Sequence, residues 1–257
     1  MRYFLKLAYN GTNYHGWQRQ PKDISVQQIL EESFSTMLRT PVEMMGCGRT
    51  DAGVHASEFY AHFDLAEEQW AAVGVHENFP KAFLGRMNNF LPKDISLYDL
   101  IPVADDAHTR FDATKRSYEY HIIFEKSPFE TQTAVSIGYK EKLDFDKMRE
   151  AAKLLLNYGE FNTFCKTHTD AKTRFCKLTR SEWVEMEDGK RWVFHISADR
   201  FLRGMVRLIV GMCLNVGLGK LELETVKTAL DNQTILQKAH SAPAHGLFLT
   251  EVKYPQF

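Results

Sequence analysis

Cysteine is scarce in this sequence. Its four residues, Cys47, Cys165, Cys176 and Cys213, stand far apart with no Cys-x-x-Cys pair, so neither a zinc site nor a disulfide framework is expected. The ten histidines show no His-x-x-x-His or His-x-Glu ligand spacing, and no metal or other cofactor is expected. Long apolar runs are missing too. No stretch reaches the roughly 18–20 residues that would cross a bilayer. The opening Met1-Arg2-Tyr3-Phe4-Leu5-Lys6 alternates like a strand and lacks the apolar core of a secretion signal. A soluble, cytoplasmic protein with no membrane partner is the expectation.

The chain also lacks an excess of either charge: 32 basic and 33 acidic residues give a formal net charge of −1. Taken alone this counts against nucleic-acid binding, which usually shows a basic domain. The basic residues are not evenly spread, however. Lys115, Arg116, Lys172, Arg174, Lys177, Arg180, Arg200, Arg203 and Arg207 gather in the second half, several beside aromatics. A neutral protein can present one basic face if its acids sit elsewhere. Solvated surface charge is the plainer reading of the same composition. What the chain does have is apolar material, 44% of its 257 residues. That suffices for one large domain or two small ones.

Periodicity divides the chain in two. Tyr3, Leu5, Leu7 and Tyr9 alternate on one face before Asn10-Gly11 turns the chain. Ser25 and Gln28 form a capping box ahead of Val26, Ile29, Leu30, Phe34, Met37 and Leu38 at helical spacing, stopped by Thr40-Pro41. A strand over Val42–Cys47, another near Ala56–Asp64, a helix marked by Phe79, Phe83, Leu84, Met87 and Phe90, and a strand at Ile95–Val103 follow. This is the β-α-β-β-α-β order of a ferredoxin-like unit. The second half repeats it. A strand spans Arg116–Phe124, and Phe145, Met148, Ala152, Leu155 and Leu156 lie on a helix. Cys176–Glu185 and Arg191–Ala198 read as a hairpin turned at Asp188-Gly189. Phe201–Val216 reads as a buried helix, Leu223–Leu230 as a polar one, and Leu247–Tyr254 as a last strand. The boundary falls near Ala104-Asp105-Asp106-Ala107, giving halves 1–105 and 106–257. The fold class expected is α+β: two ferredoxin-like halves sharing a mainly antiparallel sheet with helices on one face, the floor between them being a natural place for a long polar ligand.

One stretch carries chemistry openly: Cys47-Gly48-Arg49-Thr50-Asp51-Ala52-Gly53-Val54-His55-Ala56. Two glycines bracket a carboxylate between strands, a path that holds Asp51 out from the sheet. Arg49 and Thr50 can hold a phosphate or the loop itself. An Asx-type turn, with Asp51 merely capping backbone amides, is the structural alternative.

This decapeptide closely resembles the signature loop of the tRNA pseudouridine synthase A family, whose catalytic aspartate falls on Asp51. Three further stretches resemble that family in order. They are Tyr9–Gln20, Ala107–Tyr120 with the family's active-site tyrosine at Tyr118, and Phe201–Gly211 with its active-site arginine at Arg207. Ala242-Pro243-Ala244-His245-Gly246-Leu247 resembles the family's close. Three departures stand out: Asn10 where Asp is common, Glu160-Phe161-Asn162 where His-Asp-Phe is expected, and Asp199 in place of Asn.

The resemblance implies isomerisation of uridine to pseudouridine at positions 38, 39 and 40 of the tRNA anticodon stem-loop by a cofactor-free homodimer. The physical roles fit. A carboxylate can attack, or stabilise positive charge at the sugar, only while ionised. A neighbouring arginine favours that form and fixes its direction through a bidentate fork. Tyr118 offers a flat face for uracil and a hydroxyl able to move a proton. Flipping a uridine out of its stack costs a few kcal/mol, to be offset by stacking and by phosphate contacts from Arg19, Arg49, Arg110, Arg116 and Arg203. The Tyr14–Arg19 loop mixes aromatic and basic groups as an RNA-facing loop would.

Two other classes compete. A non-catalytic RNA-binding protein of the same fold is opposed by the complete Asp51, Tyr118 and Arg207 set. A nucleoside hydrolase needs a second placed carboxylate, and none stands out near Asp51.

Overall fold

Alternation along Arg2–Tyr9 produces the first strand, β1. Tyr3, Leu5, Leu7 and Tyr9 are buried as expected, but so is Phe4. Its ring meets Tyr254 edge-on at 5.2 Å and lies over His62 at 6.1 Å. The strand is therefore covered on both faces in its middle. The structure, a computed structural model, describes residues 1–71, 80–165, 173–186, 189–236 and 240–255. Contacts divide the chain into Met1–Thr114 with Leu249–Phe257, and Lys115–Phe248.

In the first unit, α1 spans Val26–Leu38 and is capped by Ser25, whose hydroxyl accepts from the Gln28 N–H. Of the capping box this half forms, while the Gln28 side-chain amide donates along the helix to Glu32 at 3.0 Å. The strand expected at Val42–Cys47 shrinks to β2, Met45–Gly46. Here α1 side chains take the amides a ladder would use: Val42 N–H donates to Ser35 and Met44 N–H to Glu31, at 2.9 and 3.0 Å. Next come β3 (His55–Asp64), a short α2 (Glu67–Ala71), α3 (Lys81–Phe90) and β4 (Ile95–Val103). Phe83, Leu84 and Met87 are buried as the spacing requires; Phe90 is exposed, and Phe79 lies outside the described residues. Phe34 of α1 meets Phe83 of α3 and Phe63 of β3 edge-on, at 5.5 and 5.3 Å. The strand order is β4-β1-β3, antiparallel, with β2 on β3. That is the ferredoxin-like arrangement.

The division between units falls later than Ala104–Ala107, because the segment after it is tied to the first unit. Arg2 donates to the Ala107 carbonyl, Thr109 bonds His62 and the Met45 carbonyl, and Tyr254 donates to the Thr109 carbonyl. The last strand contributes as well: Val252 N–H donates to Glu58 at 2.9 Å.

The second unit contains β5 (Lys115–Ile123), β6 (Val135–Ser136), α4 (Phe145–Leu154), β7 (Leu178–Met186), β8 (Arg191–Ala198), α5 (Met205–Gly217), α6 (Leu223–Asp231) and the start of β9 (Leu247–Lys253). Its strands run β5-β8-β7, antiparallel, with β6 parallel to β5. Of the expected hairpin turn, Asp188 lies outside the described residues, as does Lys172 among the basic residues. Phe145 stacks on Trp192 at 4.1 Å and Ser181 donates to the Ala152 carbonyl, which seats α4 on the sheet. The helix expected from Phe201 begins only at Met205, whose N–H closes a turn onto the Leu202 carbonyl. Among the described residues no helix is long and apolar enough to cross a membrane.

Candidate active site

The Asp51 loop runs between β2 and β3 and is braced by the turn that follows β1. Thr50 is the main tie. Its hydroxyl bonds the Tyr9 hydroxyl at 2.9 Å and accepts from the Trp17 N–H at 3.1 Å. Gly53 N–H donates to the Tyr14 carbonyl, and Val54 N–H to the Asp51 carbonyl, both at 3.1 Å. The Gly11 N–H donates to Nδ1 of buried His55 at 3.0 Å. Thr50 thus holds the loop, and Asp51 is left half-buried at its crest. Trp17 stacks on Phe59 at 4.2 Å, giving the turn an apolar floor.

The turn after β1 has its own anchor, Asp94. Its carboxylate accepts from the Tyr14 hydroxyl at 2.5 Å and from Asn13 at 3.0 Å, while its carbonyl accepts from Asn10 N–H. Burial, and then the Asp94 carboxylate, push the Tyr14 hydroxyl pKa up. Asn10 keeps the capping role an aspartate would have: its Oδ1 accepts from the Thr12 N–H and hydroxyl at 3.0 and 2.6 Å.

Gly16 shows how closely the two segments fit. Its φ is +82°, and a Cβ there would lie 2.2 Å from the Thr50 carbonyl oxygen. Gly16→Ala must therefore move the loop that carries Asp51. With backbone strain of about 1–3 kcal/mol, melting should fall by roughly 2–4 °C per kcal/mol. Turnover should fall further than that loss of stability explains, at temperatures where the variant is fully folded. Wild-type turnover from the folded variant would show that loop position is unimportant.

In the second unit, Tyr118 lies on β5 opposite Ile196 and meets the Phe201 ring edge-on at 5.2 Å. Arg207 is in the first turn of α5. Its Nε donates to the Ala242 carbonyl at 2.7 Å, and Ala242 N–H returns a bond to the Arg207 carbonyl. The next carbonyl, Pro243, accepts from Tyr120. Tyr120 is fully buried; burial raises its hydroxyl pKa, and the Arg207 charge opposes that. Residues 242–243 therefore link Arg207 to the strand that carries Tyr118.

The five candidate RNA-contact arginines separate by environment. Arg49, Arg110 and Arg203 are exposed. Arg19 faces Glu31 and Glu32 at 3.1 and 3.4 Å. Arg116 is 8% exposed and donates to the Asp199 carbonyl at 2.9 Å. The other two departures have local partners as well. Asp199 Oδ1 accepts from the backbone N–H of Lys177 and of Arg200. Gln233 pins the Glu160–Asn162 segment through bonds with the Glu160 carbonyl and the Asn162 N–H and amide. The sequence motifs contain His55 and Ala242 without revealing their bonds to Gly11 and Arg207, and they do not include Asp94 or Gln233. All four act through a partner distant in sequence, and for Asp94 and Gln233 no local pattern marks the residue.

Residues 151–255 match the family model described as tRNA pseudouridine synthase. Relatives matched over nearly the whole chain set the class of protein, the pseudouridine synthases. The chain is 48% identical over 255 residues to tRNA pseudouridine synthase A of Bacteroides fragilis, covering 99% of this chain and 97% of the relative. Against tRNA pseudouridine synthase A of Porphyromonas gingivalis the identity is 46% over 254 residues, with coverage of 99% and 97%. Against tRNA pseudouridine synthase A 2 of Clostridium perfringens it is 35% over 251 residues, with coverage of 97% and 98%. The chain belongs to the tRNA pseudouridine synthase A family.

Proposed function

We propose that this chain isomerises uridine to pseudouridine at positions 38, 39 and 40 of the tRNA anticodon stem-loop, as a cytoplasmic homodimer and without a cofactor. The observation that carries the reading is the Asp51 loop, a carboxylate on a rigidly braced crest, in a chain matched end to end by the family. The reaction breaks the bond from uracil N1 to ribose C1′ and forms one from uracil C5 to C1′. A proton leaves C5 and one is gained at N1, so nothing is oxidised or reduced.

Asp51 supplies the ionised carboxylate that glycosidic cleavage requires. Arg207, whose Nε is held by the Ala242 carbonyl, is the arginine that the family resemblance assigns to the reacting centre, where its planar fork can direct a carboxylate or a phosphate. Tyr118 stacks on the flipped uracil and relays its proton. Arg49, Arg110 and Arg203 contact phosphates, offsetting the cost of flipping. Arg116 and Arg19 act through the protein, holding the 199–201 segment and the turn after β1. A chain with net charge −1 gains a larger basic surface by pairing with a second copy, which supports the dimer.

Modification mapping of total tRNA from a strain lacking this protein tests the reading. Pseudouridine should disappear at positions 38–40 and persist elsewhere. An unchanged map would refute the assignment of substrate.

A further inference from the structure

Two basic residues of the second unit, Lys177 and Arg200, lie beside an exposed aromatic that the roles above do not use. Phe175 is 60% exposed, although full burial of such a side chain is worth about 1.5–3 kcal/mol. It is not on a loose loop. Phe175 pairs with Glu160 in an antiparallel bridge. On either side of it Cys176 N–H donates to the Gly159 carbonyl, and the Arg174 carbonyl accepts from Phe161 N–H, at 2.9 and 3.0 Å. Extended backbone places alternate side chains on opposite faces. Cys176 is buried, and Thr173, Phe175 and Lys177 are exposed.

A second cation reaches the same face. Arg200 donates to the Thr173 hydroxyl at 3.2 Å. The Asp199 carboxylate accepts from the Lys177 and Arg200 backbone N–H groups at 2.8 and 2.7 Å, and Glu160 is the acid opposite Phe175 in the bridge, against the two cations Lys177 and Arg200 of this strip. The strip continues to the proposed active-site tyrosine: Phe201 follows Arg200 and touches Tyr118. A rigid exposed ring between Lys177 and Arg200 is the composition that single-stranded RNA grooves use, with bases on aromatics and phosphates on cations. Phe111 is more exposed, at 73%, but it lies with Arg110 5.8 Å over its ring, in the first unit, beside an arginine already assigned to phosphate.

Building on the proposed tRNA activity, we propose that Phe175 is a stacking platform for an unpaired nucleobase of the substrate, with Lys177 and Arg200 on the adjoining phosphates.

The test uses the full chain and a fluorescein-labelled anticodon stem-loop RNA. Binding is read by anisotropy and chemistry by single-turnover rate at saturating enzyme. One stacked base contributes about 1–3 kcal/mol, or roughly 5–150-fold in affinity. Phe175→Ala should weaken binding by that factor, with the saturated rate near wild type. Phe175→Tyr should bind like wild type, and Phe175→Leu, apolar but not aromatic, like Ala. Arg200→Gln should flatten the salt dependence of log affinity by about one phosphate contact. Wild-type affinity in Phe175→Ala overturns the proposal, and so does Leu binding as tightly as Phe. Should Ala fail to fold, the comparison of Tyr with Leu decides. Because anisotropy needs no turnover, an inactive wild-type enzyme would defeat the functional reading while leaving this test intact.

Discussion

Asp51→Ala should abolish pseudouridine formation. The single-turnover rate should fall by roughly 10⁴–10⁶-fold, the scale found when a catalytic nucleophile is removed. Tritium release from tRNA labelled at uracil C5 reads this directly, because the new bond to C1′ displaces that hydrogen. The fold should tolerate the change. The loop's bracing runs through Thr50, Gly53, Val54 and His55, and those bonds do not need the carboxylate. Melting temperature and tRNA affinity should stay close to wild type. Asp51→Asn keeps the size and polarity of the side chain and removes only its charge. Its rate should be as low as that of Ala if ionisation is what matters. Substantial tritium release by the Ala variant would remove Asp51 from the mechanism.

The next largest effect is expected at Tyr118, where ring and hydroxyl can be separated. Tyr118→Phe should keep the ring against Phe201 and leave tRNA affinity unchanged. It should lower the saturated single-turnover rate by about 10²–10⁴-fold, the usual range for a lost proton relay. Tyr118→Leu should lower that rate and also weaken binding by about 5–150-fold, since a stacked base contributes roughly 1–3 kcal/mol. Tyr120, two residues along the same strand, cannot substitute. It is fully buried, its hydroxyl is bonded to the Pro243 carbonyl, and burial drives its pKa upward. If Phe reacts as fast as wild type while Leu does not, Tyr118 only stacks and the proton moves elsewhere.

Much of the fold was legible where one physical signal acted alone. β1 was readable from its alternation, and α1 from its apolar spacing behind Ser25. Misreadings arose where tertiary partners intervened. Val42–Met44 looks like strand but loses its amides to Ser35 and Glu31. Phe201–Gly204 has helical spacing yet forms a turn ahead of α5. The boundary moved because Thr109, polar and unremarkable in sequence, is buried against His62.

The candidate site divides the same way. Asp51 stood out through the resemblance of its loop to the family's signature, since two glycines and a carboxylate alone also fit an Asx-type turn. Its support did not, since Asp94 lies 43 positions from Asp51 in the sequence and acts on the loop through Tyr14. Gln233, reaching back to Glu160 and Asn162, was equally invisible.

The most direct test of the whole account is position mapping on a single substrate. An unmodified tRNA transcript carrying uridines at positions 38–40 is incubated with the purified protein alone, and the products are read by pseudouridine-specific mapping and by assay for free uracil. Pseudouridine is expected at those positions, with an intact chain and no released base. Free uracil would instead identify a hydrolase, and a bound but unchanged transcript would identify an RNA-binding protein without this activity.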